Sequence, residues 1–225
     1  AEAVAQCEAT FWQWPWSWKP EDCAALAPPA LSTRLRIEME LLLQNSSWRE
    51  SLEFLQSVGA LNLFDHNIQV SSRWSRRLHW ASRMHVPLLV ALITESSNPE
   101  KLASRLQIEN RWQISLKEAN RLIEKVQMLD LGDPKYKLPS TWCKLLEATV
   151  GHVDALKIAL IMGLTPRDPL LRWLLVWRFV KSPTSAKQLM EEGWVSGVHL
   201  GQELRRRRYQ LVDKAVSYTH LTLPT

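Results

Sequence analysis

The sequence predicts an all-α fold: an irregular multi-helix array of short helices with no sheet. Three observations carry this expectation. Apolar residues recur at three- and four-residue spacing along most of the chain, and no segment alternates strongly enough to form a strand. Only 7 glycines occur in 225 residues, too few for a turn-dense β fold. Leu, Ala, Arg, Glu and Gln, all good helix formers, are common. With 46% apolar residues, the chain can bury one large core or two small ones.

Residues 1–30 form a region rich in Trp and Pro. Ala1 to Thr10 reads as the end of a helix. Phe11 to Trp18 then places four tryptophans in eight residues around Pro15. In an extended segment such rings can stack on bases. A proline-broken connector of this kind more readily plugs a groove between helices. Residues 19–29 read as a loop closed by Pro28 and Pro29.

Residues 31–70 read as a helical segment. Leu31 to Leu43 is a helix with Leu35, Met39, Leu42 and Leu43 on one face. Arg34 and Glu38 lie on another face, four residues apart, where they can pair. Ser47 and Glu50 have capping-box spacing ahead of a helix with Leu52, Leu55 and Val58 inward. Gly59 supplies its stop.

Residues 71–181 read as a helical body. Ser71 to Met84 carries a core stripe of Trp74, Leu78 and Ala81. Arg73, Arg76, Arg77 and Arg83 fill the remainder, and no acid occurs between His66 and Thr94. A one-signed face is unusual on a solvated helix, so it is a candidate RNA contact as well as an ordinary basic surface. Short helices follow at Leu88–Thr94 and Pro99–Leu106, the second with Asn98 ahead of a first-turn proline. Ser115 to Leu129 repeats Leu116, Ala119, Leu122, Ile123 and Val126 at helical spacing. Further helices are expected at Ser140–Ala148, Val153–Met162 and Asp168–Val180. The last is apolar nearly all round and is expected to be the most buried.

Residues 182–215 read as two terminal helices. One starts near Thr184 and stops at Gly193. A glycine-spaced connector leads to a second, which carries Arg205 to Arg208. At about 100° per residue, Leu200, Leu204 and Leu211 fall within about 40° of one another. Arg205, Arg206 and Tyr209 fall opposite, and Arg207 and Arg208 border the apolar stripe, where their stems pack and pair locally. Arg205 and Arg206 are therefore the expected phosphate contacts, joined by Tyr209 and by Lys181 at the entry to this region. Val216 to Thr225 match the translation of a sequencing-library transposon end and are set aside from the fold.

The chemistry is mostly electrostatic. A net charge of +5 leans mildly towards a polyanionic partner. Cys7, Cys23 and Cys143 are odd in number and lack metal-ligand spacing, which fits a reducing, cytoplasmic compartment. No apolar run is long enough to span a bilayer. There is no Gly-rich phosphate loop, HExxH or Asp-x-Asp pair, and no cysteine has a neighbouring base. The six histidines show no metal spacing. Read alone, the chain is expected to catalyse nothing and to hold no metal.

Gly193, Gly197, Gly201 and Leu204, at four-, four- and three-residue intervals, resemble the tail signature of class II tRNA nucleotidyltransferases and bacterial poly(A) polymerases. Val198 stands where that family usually has Pro. Arg34 to Leu41 resembles the family's neck helix, with Arg34 and Glu38 in its motif and Thr33 in place of the usual Glu. Trp48 to Leu63, with Gly59, Leu61 and Leu63, is similar to the next element. The Trp- and Arg-rich style of Trp74–Met84 and Pro169–Val180 resembles the cyanobacterial branch. The resemblance covers Leu31 to Asp213. It implies a parent enzyme that adds CCA, or part of it, to tRNA 3′ ends, using Mg and CTP/ATP bound in a catalytic head. The head's Gly-Ser loop and Asp-x-Asp pair do not occur here, so the head is expected upstream of Ala1. Glu21-Asp22 lacks the Arg that would complete the family's base-reading motif. What remains resembles the end of the neck, the body and the tail, parts that grip tRNA by shape and phosphates. A stand-alone helical scaffold for protein partners and a poly(A)- or A-adding relative are the alternatives.

Overall fold

Proline and small polar residues set most of the helix starts in this chain. The computed structural model describes residues 29–65, 68 and 72–219. Among these the regular structure is entirely helical, without a strand, as the apolar spacing requires. The chain divides into two compact units, Ala1–Gln113 and Ile114–Thr225, and the division falls inside the stretch 71–181. The tryptophan segment and residues 220–225 lie outside the described residues, while Val216–Thr219 continue the last helix.

The first unit contains α1 (Pro29–Gln44), α2 (Trp48–Ser57), α3 (Ser72–Met84), α4 (Leu88–Ile93), α5 (Pro99–Arg105) and the start of α6 (Asn110–Gln127). Its centre is α4, whose Leu89 to Ile93 are all at most 2% exposed. Helices α1, α3 and α5 pack around it. Burial of each Leu, Val or Ile side chain among them favours the fold by about 1.5–3 kcal/mol over exposure. Trp74, Leu78 and Ala81 of α3 are buried, as their spacing predicts. On α1, Met39 and Leu43 are buried while Leu35 and Leu42 are only half-buried. The Asn98 side chain accepts from the Lys101 N–H at 2.9 Å and opens α5, with Pro99 in the first turn. Arg105 donates to the carbonyls of Leu63 and Phe64, each at 2.7 Å, and so anchors a 3-10 turn at Ala60–Leu63.

The expected capping box at Ser47 does not form. Ser47 sits at φ −93°, ψ 23°, and its hydroxyl makes no cap hydrogen bond. Its own N–H instead donates to Asn45 Oδ1, inside a turn that the sequence Asn45-Ser46-Ser47 closes on itself. Val58, expected inward, is 58% exposed, because α2 ends at Ser57 and Gly59 turns the chain at φ 72°.

The second unit holds the rest of α6, α7 (Pro139–Thr149), α8 (Val153–Met162), α9 (Arg167–Leu175), α10 (Ala186–Glu191) and α11 (Val198–Thr219). Leu116, Ala119, Leu122 and Val126 form the buried stripe of α6. Helix α8 is the apolar centre: Ala155, Leu156, Ile158, Ala159, Leu160 and Ile161 are all buried. Its start is held from α6, where Glu118 accepts the His152 N–H at 3.0 Å. A Cβ at Gly151 would sit 2.7 Å from the same carboxylate, so a side chain there would push the end of Glu118 aside.

The segment Asp168–Val180 is not one helix and is not the most buried. It breaks at Val176 (φ −129°, ψ −64°) into α9 and a 3-10 turn, Trp177–Phe179. Leu175, Val176 and Phe179 are exposed. The physical reason lies on α11. Arg208 donates to the carbonyls of Trp177 (3.0 Å) and Val180 (2.7 Å), replacing the partners that a continued helix would have given them. Helices α8 and α4 are buried along most of their length instead.

Candidate nucleic-acid interface

Two clusters of cations were expected to face solvent, one in each unit. In the first unit, α3 presents Arg73, Arg76 and Arg83 as exposed side chains, with half-buried Trp80 on the same face. Arg73 and Arg76 make no ion pair among the described residues. Arg77 departs from the expectation. Its Nε lies 2.9 Å from Glu95 Oε1, its guanidinium donates to Thr94 Oγ1 at 3.0 Å, and its side chain is 18% exposed. Burial lowers its pKa, and Glu95 partly offsets this. Glu95 lies just past the acid-free stretch, one helix away, so sequence spacing on α3 alone gave no sign of it. Arg77 is therefore a structural cation rather than a free one. Arg34 and Glu38 pair as expected at 3.8 Å, with both side chains well exposed. Thr33 Oγ1 donates to Gln107 Oε1 at 2.6 Å, a contact that a glutamate there would not make in the same way.

The second unit builds a more defined site. The loop from α10 to α11 uses glycine at two left-handed positions, Gly193 (φ 97°) and Gly197 (φ 155°). The Ser185 hydroxyl accepts from the Gln188 N–H at 3.2 Å, and the Gln188 side chain accepts from the Ser185 N–H at 2.8 Å, a full capping box at the start of α10. Its Ser-x-x-Gln spacing was readable in the sequence. The loop then feeds α11, which packs against α10 near its start and against α7 beyond.

That change of partner sorts the four arginines. Arg207 pairs with Glu203 and Glu192, both at 2.9 Å, and donates to Thr184 Oγ1 at 2.9 Å. Arg208 reaches Glu147 at 2.7 Å besides its two carbonyls. Both therefore pack and pair locally, as their place beside the apolar stripe predicts. Arg206 departs from the expectation of a free cation. It forms a two-pronged pair with Glu203 at 2.6 and 2.7 Å, although its side chain is 59% exposed. Arg206 first, and Arg207 after it, hold the Glu203 carboxyl down at about 2. Arg205 alone of the four has no hydrogen bond or ion pair among the described residues, and it is exposed. Leu211, expected in the buried stripe, is 38% exposed, and Val212 at 1% takes its place where α11 meets α7.

Between α7 and α11 lies a groove of about 680 Å³. Arg205, Arg206 and Tyr209 line it from α11, and Lys144 and Glu147 line it from α7. Lys144 Nζ sits 5.2 Å from the centre of the Tyr209 ring. The Tyr209 hydroxyl donates to Glu147 at 2.9 Å; burial, then this carboxylate, push its pKa up to about 12. Asp213 accepts the Ser140 N–H at 2.8 Å and so caps the start of α7 from the neighbouring helix. The groove's two carboxylates are thus engaged by the protein's own donors, while Lys144 and Arg205 remain available to an anion. Sequence reasoning found Arg205, Arg206 and Tyr209 but not Lys144 or Glu147, which join them only through packing. Lys181 is exposed and unpaired among the described residues, outside the groove lining.

Gly201 has no neighbour within 4 Å of its would-be Cβ. Cys143 is buried, and burial first, then Glu147, push its thiol up to about 12, which leaves it unreactive. Among the described residues no group of three or more His, Cys, Asp or Glu is placed to hold a metal. No helix there is long and apolar enough to cross a membrane. No protein-family model matches the chain, and neither the curated proteins nor the solved structures contain a match to it.

Proposed function

We propose that this chain is the tRNA-gripping neck, body and tail portion of a nucleotidyltransferase that adds CCA, or part of it, to tRNA 3′ ends. The observation that carries the reading is the α7–α11 groove, where Arg205, unpaired among the described residues, stands beside Lys144, Arg206 and the Tyr209 ring. Cations that meet phosphates beside an aromatic face suit an RNA backbone with accessible sugars and bases. The left-handed glycines at 193 and 197 are consistent with the tail signature that the sequence resembles. On α3, Arg73 and Arg76 supply a second basic face, unpaired among the described residues. In this reading Mg and CTP/ATP belong to the catalytic head of the parent enzyme, and the groove supplies grip rather than chemistry.

The test is tRNA binding as a function of salt. Binding through phosphate contacts weakens steeply as salt rises, with a log–log slope of roughly one per contact. Arg205→Ala with Arg206→Ala is expected to weaken binding more than Lys117→Ala with Lys125→Ala. Equal losses would remove the groove from the reading, and no binding at low salt would end it. A second reading, a helical scaffold for protein partners, draws on the exposed Leu175, Val176 and Phe179. It predicts no salt-dependent RNA binding at all.

A further inference from the structure

The 3-10 turn Trp177–Phe179 holds an apolar ring out in solvent. Phe179 is 62% exposed, and Leu175 and Val176 just before it are exposed as well. Such a cluster, unlike a lone exposed leucine, marks a contact site. The turn is fixed from beneath. Trp177 is buried. The Phe179 N–H donates to the Val176 carbonyl at 3.1 Å, and the Val180 N–H donates to the Trp177 carbonyl at 3.2 Å. Arg208 holds the Trp177 and Val180 carbonyls, one on either side of Phe179 in the chain. The turn that carries the ring is therefore set in advance, and a ligand that covers it loses little to ordering. Arg208 also reaches Glu147 on the wall of the α7–α11 groove, so the turn and the groove wall share one guanidinium.

Cations bracket the ring in sequence. The Arg178 guanidinium lies 4.4 Å from the centre of the Phe179 ring. Its Nε is buried without a hydrogen-bond partner, and Arg178 makes no ion pair among the described residues. Lys181, just beyond the ring, is exposed and likewise unpaired among the described residues. A ligand that suits this turn presents a flat apolar face and a negative charge close together. A nucleotide does both: its base can stack on the ring while its phosphate meets the cations. Resting on the RNA reading above, we propose that Phe179 is the stacking platform for an unpaired base of the bound tRNA, with Arg178 and Lys181 on the flanking phosphates. The side chains of Leu175, Val176 and Phe179 carry no hydrogen-bonding group. The contact is therefore with the face of the base and not its edge, and the site accepts any base. A base inside a stem is already stacked on its neighbours, so the platform selects loops, bulges and ends.

Binding of fluorescently labelled tRNA to the full chain, followed by anisotropy at several salt concentrations, tests the proposal. Phe179→Ala is expected to weaken binding by about fivefold or more with helical circular dichroism retained. It should leave the salt slope unchanged, because stacking releases no counterion. Phe179→Trp should bind at least as well as the unaltered chain. Phe179→Leu should lose as much as the alanine variant, since it keeps apolar area but has no ring face. Arg178→Ala with Lys181→Ala should instead lower the log–log slope by about one to two. On an RNA duplex with no unpaired base, Phe179→Ala should bind like the unaltered chain. If the unaltered chain binds tRNA and Phe179→Ala binds it equally well, the platform is overturned while the groove reading stands. If the unaltered chain binds no tRNA, both fall. Leucine serving as well as phenylalanine would also overturn the stacked base, because a protein or lipid surface accepts either side chain.

Discussion

The arginines of α3 in the first unit and those of α11 in the second are both dense runs of positive charge in sequence, yet they are used differently. On α3 the run is largely what it looks like: Arg73, Arg76 and Arg83 stay exposed, and only Arg77 turns inward to Glu95. On α11 most of the run is structural, since Arg206, Arg207 and Arg208 all hold carboxylates and, among the described residues, Arg205 alone is unpaired. A run of like charges therefore does not define a patch. What decides is how many acids come within reach: Glu203 on α11 itself, Glu147 on α7, and Glu192 just past the end of α10.

Arg208→Ala should produce the largest effect, about 3 kcal/mol of lost stability, because it removes one of two donors to Glu147, one of two to the Trp177 carbonyl, and the Arg208 donor to the Val180 carbonyl. Urea unfolding measures it, and a loss under 1 kcal/mol would mean that the break at Val176 does not depend on this side chain. Arg77→Ala comes next, at about 1–3 kcal/mol, for an acceptor left behind in a largely buried site. Arg73→Ala on the same helix should stay within about 0.5 kcal/mol, and a similar cost for both would erase the distinction drawn on α3.

Glu203 sharpens the comparison through pH. Its folded pKa lies near 2, below its ordinary value of 4.5. The stability it contributes is therefore complete above about pH 4.5 and is lost as pH falls towards 2. Glu203→Gln should flatten that part of the acid-unfolding curve. It should also free Arg206 and raise tRNA affinity about threefold, in the proposed reading, by releasing one more phosphate contact. Unchanged acid unfolding in the variant would show that the two arginines do not depend on this carboxylate. The smallest effect belongs to Arg34→Ala, whose exposed pair with Glu38 is worth about 0.3–0.5 kcal/mol.

Much of this was legible from local rules. The bounds of α8 followed from its apolar run between Gly151 and Gly163, and the α6 stripe followed from its spacing. The sorting of Arg207 and Arg208 from Arg205 followed from the helical wheel. One local rule misled. Ser47-x-x-Glu50 has capping-box spacing but lost to an asparagine turn, whereas Ser185-x-x-Gln188 has an equivalent spacing and forms the box. The spacing is identical in kind, and the residues before it decide. What stayed hidden was long-range. Glu95 beside Arg77, Lys144 beside Tyr209 and Arg208 beneath the Trp177 carbonyl are all products of packing that no window of sequence contains.

The hydrogen bond from Ser140 to Asp213 joins residues 73 apart, and Glu147 meets Arg208 and Tyr209 across 61 and 62. Closing loops of that size costs entropy before any contact repays it, which places such contacts late in folding. Helix α7 therefore has its first turn and its surface carboxylate satisfied from a helix made some sixty residues later. During synthesis the second unit must remain provisional until Asp213 has emerged, so α7 and α11 are expected to gain protection from hydrogen exchange in the same kinetic phase, after α8.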